Sequence, residues 1–182
     1  MLAVQTGTKS ADMRRTEPDR ISLPPVRLEQ LSPNRKFQFV ISSKNSWKTA
    51  QPDAFLYQLS GVTGGGPKTL LWNGRLPQQY GPRYTLVSPT GEVLLLDEYL
   101  NINSQQAIYL IHGQPRKTTA YRLDDIVKIL GLPPARLTEK AKGGSWWISA
   151  APTLAPAGDK AFVPTGGKML VVHLATGRLS VK

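Results

Sequence analysis

Asp97 and Glu98 stand side by side in a basic chain and are followed by Tyr99, Asn101, Asn103 and Ser104. Such an oxygen-rich run could hold a hard cation, and the two carboxylates could serve a hydrolytic enzyme as acid, base or metal ligands. Adjacent side chains on a strand face opposite ways, so Asp97 and Glu98 share a site only if the strand has ended at Asp97. A solvated strand end beside a basic residue is the simpler reading. His112 and His173 each close an apolar strand run, with no serine, acid or second histidine at a recognisable spacing, which predicts surface or loop positions rather than a triad or a zinc site. In Gly61-Val62-Thr63-Gly64-Gly65-Gly66-Pro67-Lys68-Thr69 the glycines and the Lys-Thr pair imitate a phosphate loop. Pro67 interrupts it, and Thr69-Leu70-Leu71-Trp72-Asn73-Gly74 reads as a strand and turn where such a loop needs a helix start. A hairpin connection accounts for the segment better.

Binding chemistry is better represented than catalytic chemistry. The candidate partner-binding residues are Arg14, Arg15, Arg20 and Arg27 in a basic N-terminal stretch, with Trp146 and Trp147 further on. Arginine forks suit carboxylates, and a buried tryptophan is the kind of anchor that dominates interface energies. On a strand, one of the two tryptophans points into the core and the other outward, either under neighbouring helices or onto a partner. Arg116, Lys117, Arg122, Lys128, Arg136, Lys140 and Lys142 gather near Tyr121, Trp146 and Trp147, a mixture that imitates a surface for single-stranded nucleic acid, although a solvated helix face reads the same way.

The whole chain limits these readings. It has 182 residues, enough for one ordinary domain with a real core, a net charge of +11, and 40% hydrophobic residues. The charge predicts acidic partners without choosing among nucleic acid, an anionic surface and an acidic protein. The lack of cysteine excludes disulfides, thiolate metal sites and cysteine nucleophiles. No apolar run is long enough for a signal peptide or a bilayer span, which predicts a soluble protein of unknown compartment.

Strand-like runs bounded by turn residues position these groups. The first set is 37–41, 54–59 and 69–72; the second is 84–87, 92–96 and 107–111; the third is 145–148, 160–163 and 169–174, with 178–181 after Thr176-Gly177. Residues 1–27 show neither period and read as an extended basic arm, leaving 28–182 as a β-repeat domain. One helical insertion is predicted at about 124–142, with Asp124 as cap, Gly131 as stop, and a second short helix from Pro133-Pro134.

Leu31-Ser32-Pro33-Asn34-Arg35-Lys36, Val87-Ser88-Pro89-Thr90-Gly91-Glu92 and Leu154-Ala155-Pro156-Ala157-Gly158-Asp159 align, each leading into an apolar strand. Proline presets the second turn position and glycine supplies a positive φ two residues on, so each motif predicts a tight antiparallel connection. The first unit has Arg35 in place of the glycine. These units resemble the blade repeat of TolB-like and WD40-like β-propellers, whose Ser-Pro-Asp-Gly-Lys turn is matched best by 155–160 and whose Asp-x-x-Thr-Gly strand end is matched by Leu174-Ala175-Thr176-Gly177. The resemblance implies a mainly β fold of antiparallel propeller-like units. Three units at uneven spacing, where closed propellers use four or more, imply an open propeller, a sandwich, or part of a ring completed by another copy or another protein.

The reading that follows is a non-catalytic accessory or scaffold subunit, without a cofactor, docking onto an acidic protein or larger assembly. A nucleic-acid-binding protein is the alternative, and a hydrolytic enzyme using Asp97 and Glu98 is a third reading.

Overall fold

A computed structural model describes residues 23–61, 66–100, 105–140 and 147–182. Twelve strands in this set form three four-stranded antiparallel sheets, so the fold is mainly β. The first sheet contains β1 (Arg27–Leu31), β2 (Phe37–Lys44), β3 (Thr49–Leu59) and β4 (Lys68–Arg75). The second contains β5 (Pro82–Val87), β6 (Val93–Glu98), β7 (Gln106–His112) and β8 (Lys117–Arg122). The third contains β9 (Thr153–Leu154), β10 (Lys160–Thr165), β11 (Lys168–His173) and β12 (Leu179–Val181). In each sheet the strands lie in chain order, each paired with the next.

The three aligned motifs make equivalent turns between the first and second strand of each sheet. The fourth turn residue donates its N–H to the first residue's carbonyl at 2.9 Å (Arg35 to Ser32), 3.1 Å (Gly91 to Ser88) and 2.8 Å (Gly158 to Ala155). That fourth residue has φ of 55°, 86° and 71° respectively, so Arg35 adopts the left-handed conformation that glycine supplies in the other two. The serines brace their turns: Ser32 Oγ accepts the Phe37 N–H at 3.0 Å, and Ser88 Oγ accepts the Glu92 N–H at 2.9 Å. Neighbouring turns touch. Asn34 Nδ2 donates to the Pro89 carbonyl at 2.8 Å, and a Cβ on Gly158 would lie 2.3 Å from Pro89 Cδ.

Alternation along the strands then fixes which sheets meet. Phe39 and Ile41 of β2, with Ala54 and Leu56 of β3, pack against Val93, Leu95 and Ile111 of the second sheet. Leu94, Leu96, Ile108 and Leu110 point to the opposite side and pack against Ala161, Val163, Leu170 and Val172 of the third. The second sheet is therefore covered on both faces, and all six residues of β6 are buried. Its continuous apolar run is what double burial requires.

The helical insertion covers one end of the second core. Leu123, Ile126 and Leu130 of α1 (Leu123–Leu130) and Leu137 of α2 (Pro134–Lys140) join that cluster, with Trp147 and Ile148. Gly131 terminates α1 in the left-handed conformation, as predicted. Its start differs from the prediction. Arg122, not Asp124, is the capping position, and the Asp125 carboxylate accepts the Arg122 N–H at 2.9 Å, because the helix begins two residues earlier than an Asp124 cap implies.

Other differences concern strands. Trp147 and Ile148 lie outside any strand, and Asn73-Gly74 belongs to β4 and not to a turn, since Ala54 and Phe55 of the long β3 pair with them. Strands β1, β8 and β9 were not foreseen. At the beginning of the described chain, Trp47 Nε1 donates to the Pro24 carbonyl at 2.8 Å and its ring lies 5.9 Å from that of Tyr80, fixing where the N-terminal stretch joins the first sheet. Among the described residues no helix is long and apolar enough to cross a membrane.

Candidate partner-binding faces

The two adjacent acids first suspected of catalysis are both buried. Asp97 and Glu98 are 1% and 6% exposed, which corrects the solvated strand end. Asp97 sits at φ 60° at the end of β6, with Oδ2 3.4 Å from Arg83 Nε, while Glu98 Oε1 accepts the Gln79 N–H at 2.7 Å. Asp97 thus ties the end of β6 to β5, and Glu98 ties it to the segment entering β5. Asn101, Asn103 and Ser104 lie outside the described residues. Among the described residues no three acidic or histidine side chains gather in a group that could hold a metal.

His112 is also corrected from surface to core, at 1% exposed. Its Nδ1 lies 3.0 Å from the Ala175 carbonyl, which can only accept, and its Nε2 lies 2.7 Å from Thr119 Oγ1. Tyr121 donates its hydroxyl to the Gly177 carbonyl at 2.7 Å. The Thr176-Gly177 turn of the third sheet is thereby pinned to the edge of the second. His173 is half-buried, and its Nε2 lies 3.1 Å from Ser180 Oγ across the β11–β12 pair, a neighbour that sequence spacing did not suggest.

The predicted binding residues separate. Trp147 is fully buried, with Thr165 Oγ1 donating to its carbonyl at 2.5 Å, so it serves the core and not a partner. Arg14, Arg15, Arg20 and Trp146 lie outside the described residues. Arg27 is exposed on β1 and pairs with Glu29 at 2.7 Å. In the basic group near the helices, Lys117, Arg122, Lys128 and Arg136 are exposed, whereas Arg116 is folded against Gly91 with its side chain 5% exposed. Arg116 Nη2 donates to the Thr90 carbonyl at 3.2 Å, and Nη1 lies 3.8 Å from the Glu92 carboxylate. Burial would raise the Glu92 pKa, but hydrogen bonds from Ser88, Thr90 and its own backbone, together with Arg116, outweigh it and hold the carboxyl below its ordinary value. Burial lowers the Arg116 pKa, and Glu92 opposes that shift.

What the sequence did not reveal is a pair of sheet faces against which no other described sheet packs. Equivalent turn bonds place Phe37, Glu92 and Lys160 at matching positions, so Phe39, Leu94 and Phe162 match, as do Ile41, Leu96 and Pro164. Phe39 and Ile41 face the second sheet; Leu94 and Leu96 face the third. Each sheet therefore presents the same face, here called the front, to the back of its successor. The front of the third sheet and the back of the first have no successor or predecessor among the described residues.

The third sheet's front has the half-buried Phe162, Pro164 and Met169 and the buried Val171 along its centre, and a hollow of about 590 Å³ lies over Phe162, Pro164 and Met169 with Lys182 at its rim. Lys160, Arg178 and Lys182 flank this apolar strip, and the Asp159 carboxylate lies 3.5 Å from Lys160. The first sheet's back has a buried Val40, the stacked, half-buried rings of Phe55 and Tyr57 with centroids 6.2 Å apart, and an exposed Leu70. Around them Arg27 pairs with Glu29, Lys44 and Arg75 approach Asp53 at 3.0 and 4.0 Å, and Lys68 donates to Gln38.

No protein-family model, curated protein or solved structure matches this chain.

Proposed function

We propose that the protein is a non-catalytic interaction subunit, a scaffold of propeller-like β units that docks onto an acidic protein. The observation that carries this reading is the uncovered front of the third sheet, an apolar strip flanked by cations at positions whose equivalents in the other two sheets are buried against a neighbouring sheet. Cations around an apolar centre favour a partner with carboxylates around its own, because complementary charge speeds encounter while apolar burial supplies the affinity. The +11 net charge acts in the same direction at long range. The polar side chains most suited to acid–base work are occupied: Asp97 faces Arg83, Glu98 holds a backbone N–H, and His112 bridges two sheets.

The test is affinity capture of the tagged full chain from its native lysate at low and high salt, with and without nuclease. Protein partners retained after nuclease treatment and released at high salt are the expected result. Recovery that collapses with nuclease would replace this reading with a nucleic-acid ligand.

A further inference from the structure

From the repeated front-to-back packing we infer that the front of the third sheet is a docking face for another antiparallel sheet, contributed by the acidic partner and continuing the stack. This rests on the proposed function and adds where the partner sits and what it presents.

The same kind of junction occurs twice inside the chain. Phe39 and Ile41 receive Val93 and Leu95; Leu94 and Leu96 receive Ala161 and Val163. In each case aromatic or branched side chains on a front accept aliphatic side chains on the back of the next sheet. Phe162 and Pro164 occupy the same positions on the third front, with Met169 and Val171 beside them on β11. The occupant that repeats this geometry is a sheet whose back carries aliphatic residues at alternate positions.

Charge decides between a second copy and a different protein. In a head-to-tail copy, the back of the first sheet would meet the front of the third. Both faces carry more cations than carboxylates, and the carboxylates of the first sheet's back, Glu29 and Asp53, are already engaged by Arg27, Lys44 and Arg75. Like charges brought together oppose such a contact, whereas carboxylates opposite Lys160, Arg178 and Lys182 would favour it. The occupant is therefore an acidic sheet of another chain.

A photo-crosslinking residue placed at position 162 tests this in nuclease-treated native lysate, with the same residue at position 129, on the exposed Ile129 of α1, as the control. The expected result is an adduct at 162 and none at 129, mapping to a strand of an acidic protein. Lys160→Glu with Lys182→Glu should lower its yield by about ten-fold or more, the loss that corresponds to about 1.4 kcal/mol. Unchanged thermal melting of the double variant separates lost docking from lost folding. A dimer adduct of this chain, an adduct mapping to a helix or loop, or a yield indifferent to both charge reversals overturns the inference. If salt-sensitive partners are still captured in those cases, the proposed function stands and only the face is wrong; if the unmodified chain captures none, both fall.

Discussion

The second and third sheets are both four-stranded with their strands in chain order, and they differ in what covers them. In β6 every residue is buried, Val93 and Leu95 on one side and Leu94 and Leu96 on the other. In β10 burial alternates: Ala161 and Val163 are buried, while Lys160, Phe162 and Pro164 are partly exposed. The strand order and the backbone hydrogen bonds of the turns correspond, so the difference in composition follows the neighbours each sheet packs against. A sheet between two others needs apolar side chains on both faces, with any buried charge paired or hydrogen-bonded, whereas a sheet at the end of a stack can keep charge on its outer face.

The largest effect that would sharpen this comparison is in the core. Leu95→Ala removes side-chain volume from the packed junction between the first two sheets and should cost about 2–5 kcal/mol. Phe162→Ala, on the uncovered front, should cost less than half as much. Paired denaturant titrations measure both. Equal losses would mean that Phe162 is as much a core residue as Leu95, and the distinction between covered and uncovered faces would fail.

Next in size is a contrast between two glycines of the third sheet. Gly158 has φ 71° and its added Cβ would lie 2.3 Å from Pro89 Cδ, a ring that cannot rotate away. Gly167, in the β10–β11 turn, has φ 78° with nothing within 4 Å of the added atom. Gly158→Ala should therefore combine backbone strain with overpacking, about 2–4 kcal/mol, against about 1 kcal/mol of strain alone for Gly167→Ala. Similar melting temperatures for the two variants would show that the motif turns of the second and third units do not bear on one another.

These contrasts also explain what could be read from the sequence. The motif turns were legible even with Arg35 in the glycine position, because proline and the strand that follows set the frame while one left-handed residue is tolerated. β6 was legible because double burial leaves an uninterrupted apolar run. β8, with Lys-Thr-Thr-Ala-Tyr-Arg, lies at the edge of its sheet, where exposure removes the apolar signal, and β9 has only two residues. α1 was legible from its apolar spacing and Gly131, but not its cap, because the backbone turns helical at Leu123, two residues before the start that an Asp124 cap implies. The candidate faces were not legible, since they follow from matching strand positions across sheets. Nor was the place of His112, whose carbonyl partner Ala175 is 63 residues away. Trp147 is buried by long-range packing against the second core, which local alternation does not describe.

The smallest expected effect is a pH dependence, confined to the turn that links the first two strands of the second sheet. Glu92 is held below its ordinary pKa of 4.5 by hydrogen bonds and Arg116 acting against burial. A depressed carboxyl pKa means that the unfolded chain takes up the proton first as pH falls. Its contribution is therefore complete above pH 4.5 and is lost as pH falls through the folded-state value. Glu92→Gln should destabilise the protein near pH 7 by about 1 kcal/mol, and that deficit should shrink toward zero in acid. Urea titrations of both proteins from pH 7 down to pH 3 measure it. A deficit that stays constant with pH would assign the loss to altered packing of the turn against Phe37 and Arg116 rather than to ionisation, and would leave the charged pair without a part in holding that turn.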